Sequence, residues 1–139
     1  MSQENVEVMR AVYDRYREGD FRASADLLDP YVVLVLSRAS DWGPETPESG
    51  MYIGSEGIAE YTRENLIKPW SHFTMEAEEI VKAGDSVLVH VHQRGVGRTS
   101  GVPSELHYFT LWSFRGPRII RIESFRDRGA ALEAVGLSE

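Results

Sequence analysis

The chain contains no cysteine. That absence removes disulfides, thiolate metal sites and cysteine nucleophiles together, although it does not fix a compartment. No stretch approaches the run of about 18 apolar residues that marks a membrane-spanning helix. The polar start, Met1 to Asn5, has no basic segment leading into an apolar one, so a cytoplasmic location is expected. Positive charge is also scarce: 15 Lys and Arg stand against 22 Asp and Glu, for a net charge of −7. The basic residues are scattered singly, leaving no stripe to follow a phosphate backbone, so nucleic acid is not expected as a partner. Glycine-rich phosphate loops, the G-x-S-x-G elbow and the metalloprotease helix signature are all missing, which disfavours nucleotide binding and serine-hydrolase chemistry.

What is there is the composition of an ordinary globular protein. Its 139 residues are 42% hydrophobic and 27% charged. A chain of this length buries about two-thirds of its unfolded surface, and one domain spanning 1–139 is expected. Val6, Met9, Tyr13 and Tyr16 form the apolar stripe of an amphipathic helix that Gly19 ends. Asp20 can cap a second short helix bearing Phe21, Ala25 and Leu28, stopped at Pro30. Tyr31 to Leu36 reads as a strand apolar enough to be covered on both faces. Ser37 to Gly54 has neither helical nor strand period, and loops of such length are often functional lids. Ser55 offers a cap for a helix through Ile58, Tyr61 and Leu66, terminated by Pro69. Two strands follow, Phe73 to Lys82 and Ser86 to Arg94, with Gly95, Gly97 and Gly101 suggesting a bulge or bend.

The last third is the most telling. Tyr108, Thr110, Trp112 and Phe114 alternate with His107, Phe109, Leu111 and Ser113, and after a turn Ile120, Ile122, Ser124 and Arg126 alternate with Ile119, Arg121, Glu123 and Phe125. Asp127 can cap a closing helix, and Gly136 suits its end. Strands segregated from helices indicate an α+β fold with a mostly antiparallel, strongly curved sheet wrapped around the N-terminal helices. Such a sheet leaves a conical hollow, the concavity that ligands prefer.

With this order, the segments Leu111-Trp112-Ser113-Phe114-Arg115-Gly116 and Glu123 to Leu137, the Gly19-Asp20 pair, Leu28-Asp29-Pro30 and Gly50-Met51-Tyr52-Ile53-Gly54 resemble the SnoaL-like branch of the nuclear transport factor 2-like superfamily. The resemblance covers nearly the whole chain. It implies a cone-shaped domain, commonly a homodimer paired through the outer sheet face. The superfold hosts isomerases, cyclases, dehydratases, hydrolases and non-enzymatic binders alike. Compared with ketosteroid isomerases, which share the fold, Leu34 and Val35 stand nearest the position of the first-strand base. Thr110 replaces the second acid, and only Tyr13 stands in for the tyrosine. That reaction by that residue set is not expected.

The resemblance and the alternation both turn Thr110, Trp112, Ile122, Ser124 and Arg126 toward the cone. The expected pocket is mostly apolar, with Trp42, Tyr61, Val89, Val91 and Tyr108 adding to its wall. Asp41, beside Trp42 in the long loop, is a candidate general base with its pKa raised by burial, or else an ordinary loop acid. Arg126, with Ser124 and Thr110, is a candidate for holding a carboxylate or enolate oxygen, or else a structural ion-pair partner. Tyr13 completes the candidate catalytic set. His90 and His92 share a strand face with His107 on the next strand, so a metal site is conceivable, but no acid of matching parity accompanies them on the strand. No metal and no cofactor is expected; if that face lined the cone, the same histidines would become proton-transfer candidates. The expected partner is a small, largely apolar organic molecule. Its handling is either cofactor-free acid–base chemistry, such as isomerisation, cyclisation, dehydration or hydrolysis, or binding without reaction.

Overall fold

The computed structural model describes residues 2–38, Trp42 and residues 49–136. The chain opens with helix α1 (Ser2–Arg17), whose stripe Val6, Met9, Val12, Tyr13 and Tyr16 is buried. Gly19, at φ 94°, takes the left-handed turn out of the helix. The second helix anticipated after Asp20 is reduced to a single 3-10 turn, Ala25–Leu27. The Asp20 carboxylate accepts from the Arg22 backbone N–H at 3.2 Å, a local turn that competes with helix nucleation.

Strand β1 (Leu28–Leu36) follows directly. It pairs antiparallel with the short β2 (Met51–Ile53) and parallel with the final strand β6 (Arg118–Phe125). Pro30 is tolerated because the register with β6 shifts between Leu28 and Val33. The strand is covered on one face only: Val32, Leu34 and Leu36 are buried while Tyr31 is 86% exposed. The long irregular segment of the sequence therefore contains a strand at its end, and its residues 39–41 and 43–48 lie outside the described residues. Helix α2 (Gly54–Tyr61) begins at a glycine with φ 76°, not at a Ser55 cap, and continues as π-helical turns over Thr62–Ile67.

Three long strands come next: β3 (Trp70–Ala83), β4 (Ser86–Gly97) and β5 (Pro103–Arg115). With β6 they complete a curved, mostly antiparallel sheet in the order β2-β1-β6-β5-β4-β3. The strands outrun their expected ends because Gly95 does not interrupt β4. A Cβ there would stand 2.9 Å from Trp70 Cε3 and 3.0 Å from Phe73 Cδ1, so glycine admits two aromatic rings against the backbone.

Register fixes the two faces. Val89 pairs with Thr110, Thr110 with Ser124 and Ser124 with Leu36, one row across four strands. That row, with Val87, Val91, Trp112 and Ile122, packs beneath α1 in the main core. The other face buries Leu88, Leu111 and Phe125 under helix α3 (Arg128–Ala134), where Ala131 is fully enclosed. Asp127 caps α3, accepting from the backbone N–H groups of Gly129 and Ala130 at 3.3 and 3.2 Å. Replacing fully buried Met9 by alanine is expected to cost about 2–5 kcal/mol. Asp127→Ala, which removes only a cap, is expected to cost about 1 kcal/mol. Urea unfolding of the two variants checks both values and their order.

Candidate functional site

Beneath α1 the concave face does not close completely. A cavity of about 60 Å³ lies between α1, β5 and β6, walled by Leu34, Ile58, Met75 and Ile122 and by the hydroxyl-bearing Tyr13, Tyr16, Tyr108, Thr110 and Ser124. A second cavity, about 170 Å³, adjoins it toward the sheet rim, with Trp42, Trp70, Asn65, Gln93 and Leu106 among its walls. Tyr61, Leu66 and Tyr108 belong to both. A void needs only about 10–15 Å³ of such space per water, so the inner chamber holds a few waters or one small group, and the outer chamber is larger.

The rings interlock edge to face. Tyr13 meets Tyr16 at 4.9 Å and 74°, and Trp112 at 6.1 Å and 88°. Trp42 meets Tyr108 at 5.4 Å and 81°, and Tyr52 meets Tyr61 at 5.2 Å and 64°. Each arrangement sets a positive ring edge against a negative face. The hydroxyls are mostly satisfied: Trp112 Nε1 donates to the Tyr13 hydroxyl at 3.2 Å, Tyr16 donates to Ser24 Oγ at 3.2 Å, and Tyr108 donates to Gln93 Oε1 at 2.9 Å. Thr110 Oγ1 and Ser124 Oγ lie 3.1 Å apart in a hydrogen bond. The Tyr61 hydroxyl makes no side-chain hydrogen bond among the described residues, and Tyr61 lines both chambers.

Burial raises the pKa of every one of these tyrosines. Tyr13 and Tyr108 are pushed well above their ordinary value, with neighbouring tyrosines adding to the effect and, at Tyr13, hydrogen bonds from Trp112 and Thr110 opposing it. Tyr61 rises for the same reason, with Tyr52 contributing. Tyr16 is pushed up to about 12 by burial, partly offset by Ser24. These groups are neutral hydroxyls at neutral pH, able to donate a proton in a hydrogen bond but poor acids.

Of the residues singled out from sequence, Tyr13, Tyr61, Tyr108, Thr110, Trp112, Ile122 and Ser124 line the inner chamber, and Trp42 lines the outer one. Val89 and Val91 do not line either chamber; they are fully buried and packed in the core, because α1 lies directly over that part of β4. Arg126 does not enter the hollow. It falls just beyond the end of β6, is exposed, and holds its guanidinium 5.6 Å from the centre of the Trp42 ring at the rim, a cation–π contact. Asp41 lies outside the described residues. His90, His92 and His107 occupy the convex face, away from the hollow, stacked on one another and on Phe109. Trp70, Asn65 and Gln93 were not foreseen as wall residues. The Gly95 gap was the available signal for Trp70, since a glycine inside a strand marks a close approach.

The family model of the SnoaL-like domain matches residues 9–122. The chain belongs to the SnoaL-like domain family. No curated protein matches it, but solved structures share its fold. TerC, co-crystallised with polyporic acid, is 21% identical with a TM-score of 0.69 over 94% of this chain and 97% of its own. A nuclear transport factor 2-like protein from Burkholderia thailandensis is 20% identical with a TM-score of 0.71, covering 93% of each chain. A protein of ketosteroid isomerase-like fold from Catenulispora acidiphila, in complex with trimethylamine, is 18% identical with a TM-score of 0.65 over 94% of this chain and 93% of its own.

In this SnoaL-like chain, the positions compared with the isomerase acids hold Leu34 or Val35 and Thr110, of which Leu34 and Thr110 line the inner chamber. Among the described residues neither chamber is lined by a carboxylate, an imidazole or a basic group. The tyrosines supply the titration instead, at high pH. Below about pH 10 Tyr16 is neutral in both the folded and the unfolded chain, and its contribution to stability is complete. Between 10.0 and about 12 the unfolded chain releases that proton while the folded one retains it, so stability is lost as pH rises through this window. The urea midpoint is expected to fall across it, and to fall less steeply in Tyr16→Phe.

Proposed function

We propose that the two-chambered hollow binds a small, neutral, aromatic molecule carrying a carbonyl-type acceptor oxygen, and that it does so without performing acid–base chemistry on it. The observation that carries this reading is Tyr61, which lines both of the chambers walled by aromatic rings: its hydroxyl is a neutral proton donor whose pKa burial raises further, and it lacks a protein acceptor among the described residues. An unmatched donor in an apolar wall selects an acceptor on its ligand, because leaving it unpaired costs about 1–3 kcal/mol. Trp42 and Tyr108, edge to face at 5.4 Å, give a flat ring a surface to stack on. Charged molecules are disfavoured, since among the described residues no counter-charge lines the hollow and desolvating an ion there is costly. TerC holds polyporic acid and the Catenulispora protein holds trimethylamine, which supports the binding of small organic molecules by this fold; the neutral aromatic class rests on the lining of this hollow.

The test is a panel of neutral aromatic ketones and the carboxylate analogues of the same rings, followed by quenching of tryptophan fluorescence. Neutral members are expected to bind and the carboxylates to fail. Tyr61→Phe is expected to weaken binding about fivefold, the worth of one hydrogen bond of roughly 1 kcal/mol. Equal affinity in the variant, or preference for the carboxylates, contradicts the reading.

A further inference from the structure

The convex face carries a cluster that the hollow does not use. His92 and His107 are directly paired across β4 and β5, and their rings stack with centroids 4.1 Å apart and planes 10° from parallel. The acids missing from the β4 face of His92 arrive from the strands on either side. In β3 the register with β4 slips between Ala77 and Glu79, leaving Glu78 as the extra residue of a bulge, and bulges re-aim side chains. Glu78 Oε1 reaches His92 Nδ1 at 3.2 Å. Glu105, two residues before His107 and so on the same face of β5, brings Oε2 to 3.1 Å from His92 Nε2. That contact lies outside hydrogen-bond directions, and Nε2 is buried without a hydrogen-bond partner among the described residues.

We propose that Glu78, His92 and His107, with Glu105 beside them, form a binding site for a divalent transition ion, zinc being the member this donor set favours. One donor atom from each of Glu78, His92 and His107 falls within 4.8 Å of the others. Tetrahedral zinc, with bonds of about 2.0–2.1 Å to imidazole nitrogen and carboxylate oxygen, needs its ligand atoms about 3.3 Å apart. Closure falls to Glu78, 44% exposed and able to swing, and to the exposed His107, whose ring turns out of its stack so that both imidazoles aim an in-plane nitrogen at one ion, while His92, at 15%, is held in place. Two imidazoles with carboxylate oxygens suit zinc, cobalt or nickel better than calcium or magnesium, which prefer oxygen throughout.

Untagged protein, freed of metal with chelator and titrated with cobalt(II), tests the site through the visible bands of the four-coordinate ion, with zinc(II) as competitor. The expected result is one ion per chain, bound at free concentrations of about 0.1 mM or below and displaced by zinc. His92→Ala, His107→Ala and the isosteric Glu78→Gln are each expected to weaken binding about tenfold or more, while His72→Asn, at a histidine outside the cluster, leaves it unchanged. Absence of binding overturns the proposal. So does binding that persists in His92→Ala/His107→Ala, or half an ion per chain, which would assign the ion to two copies and not to one.

Discussion

One row of the sheet governs the concave side of the molecule. Val89, Thr110, Ser124 and Leu36 are linked in register across four strands, and because side chains alternate, that alignment commits every neighbouring row as well. A slip of one residue would carry Trp112 and Tyr108 to the convex face and bring the histidines inward. The alignment is secured from outside the sheet by α1: the Trp112 indole donates to the Tyr13 hydroxyl across 99 residues of sequence. The hollow is what remains when bulky rings on α1 and β5 meet edge to face and cannot fill the curve of the sheet completely.

The consequence is a separation of chemistry between the two faces. The concave side holds hydroxyls and rings, with tyrosines that burial keeps protonated. On the convex side stand histidines and glutamates, His92 being flanked by two carboxylates. A low-polarity hollow rewards neutral donors already in place, since each matched hydrogen bond there is stronger than in water and each unmatched one costlier. The half-solvated outer face tolerates charge, and with it metal-ligand chemistry.

The alternation in the last third made most of the fold legible. Asp127 as a cap, the faces of β4 and β5, that of β6 from Arg121 onward and the helical stripe of α1 follow from local patterns; Ile119, expected on the outer face, is buried in the main core because the β5–β6 register shifts between Ser113 and Phe114. What was not legible came from long-range geometry. Val89 and Val91 have the right parity for a pocket wall but lie beneath α1, and the helix position is not written in the strand. Arg126 continues the inward parity in sequence, yet β6 ends at Phe125, so the side chain is released to the rim. The second helix failed because a local Asp20 turn outcompeted a short, weakly nucleated segment. Glu105 is a period-two neighbour of His107 and was legible in the sequence, whereas Glu78 joins the cluster only through the pairing of β3 with β4 and its bulge.

The central claim is that recognition in the hollow rests on neutral hydroxyls and aromatic rings, with no group among the described lining residues that changes charge near neutrality. It is tested most directly by measuring the affinity for a neutral aromatic ligand from about pH 5 to about pH 9, the range over which histidines and perturbed carboxylates titrate. The account predicts an affinity that stays flat throughout. A sigmoidal or bell-shaped dependence of tenfold or more would place an ionising acid or base at the ligand and contradict it.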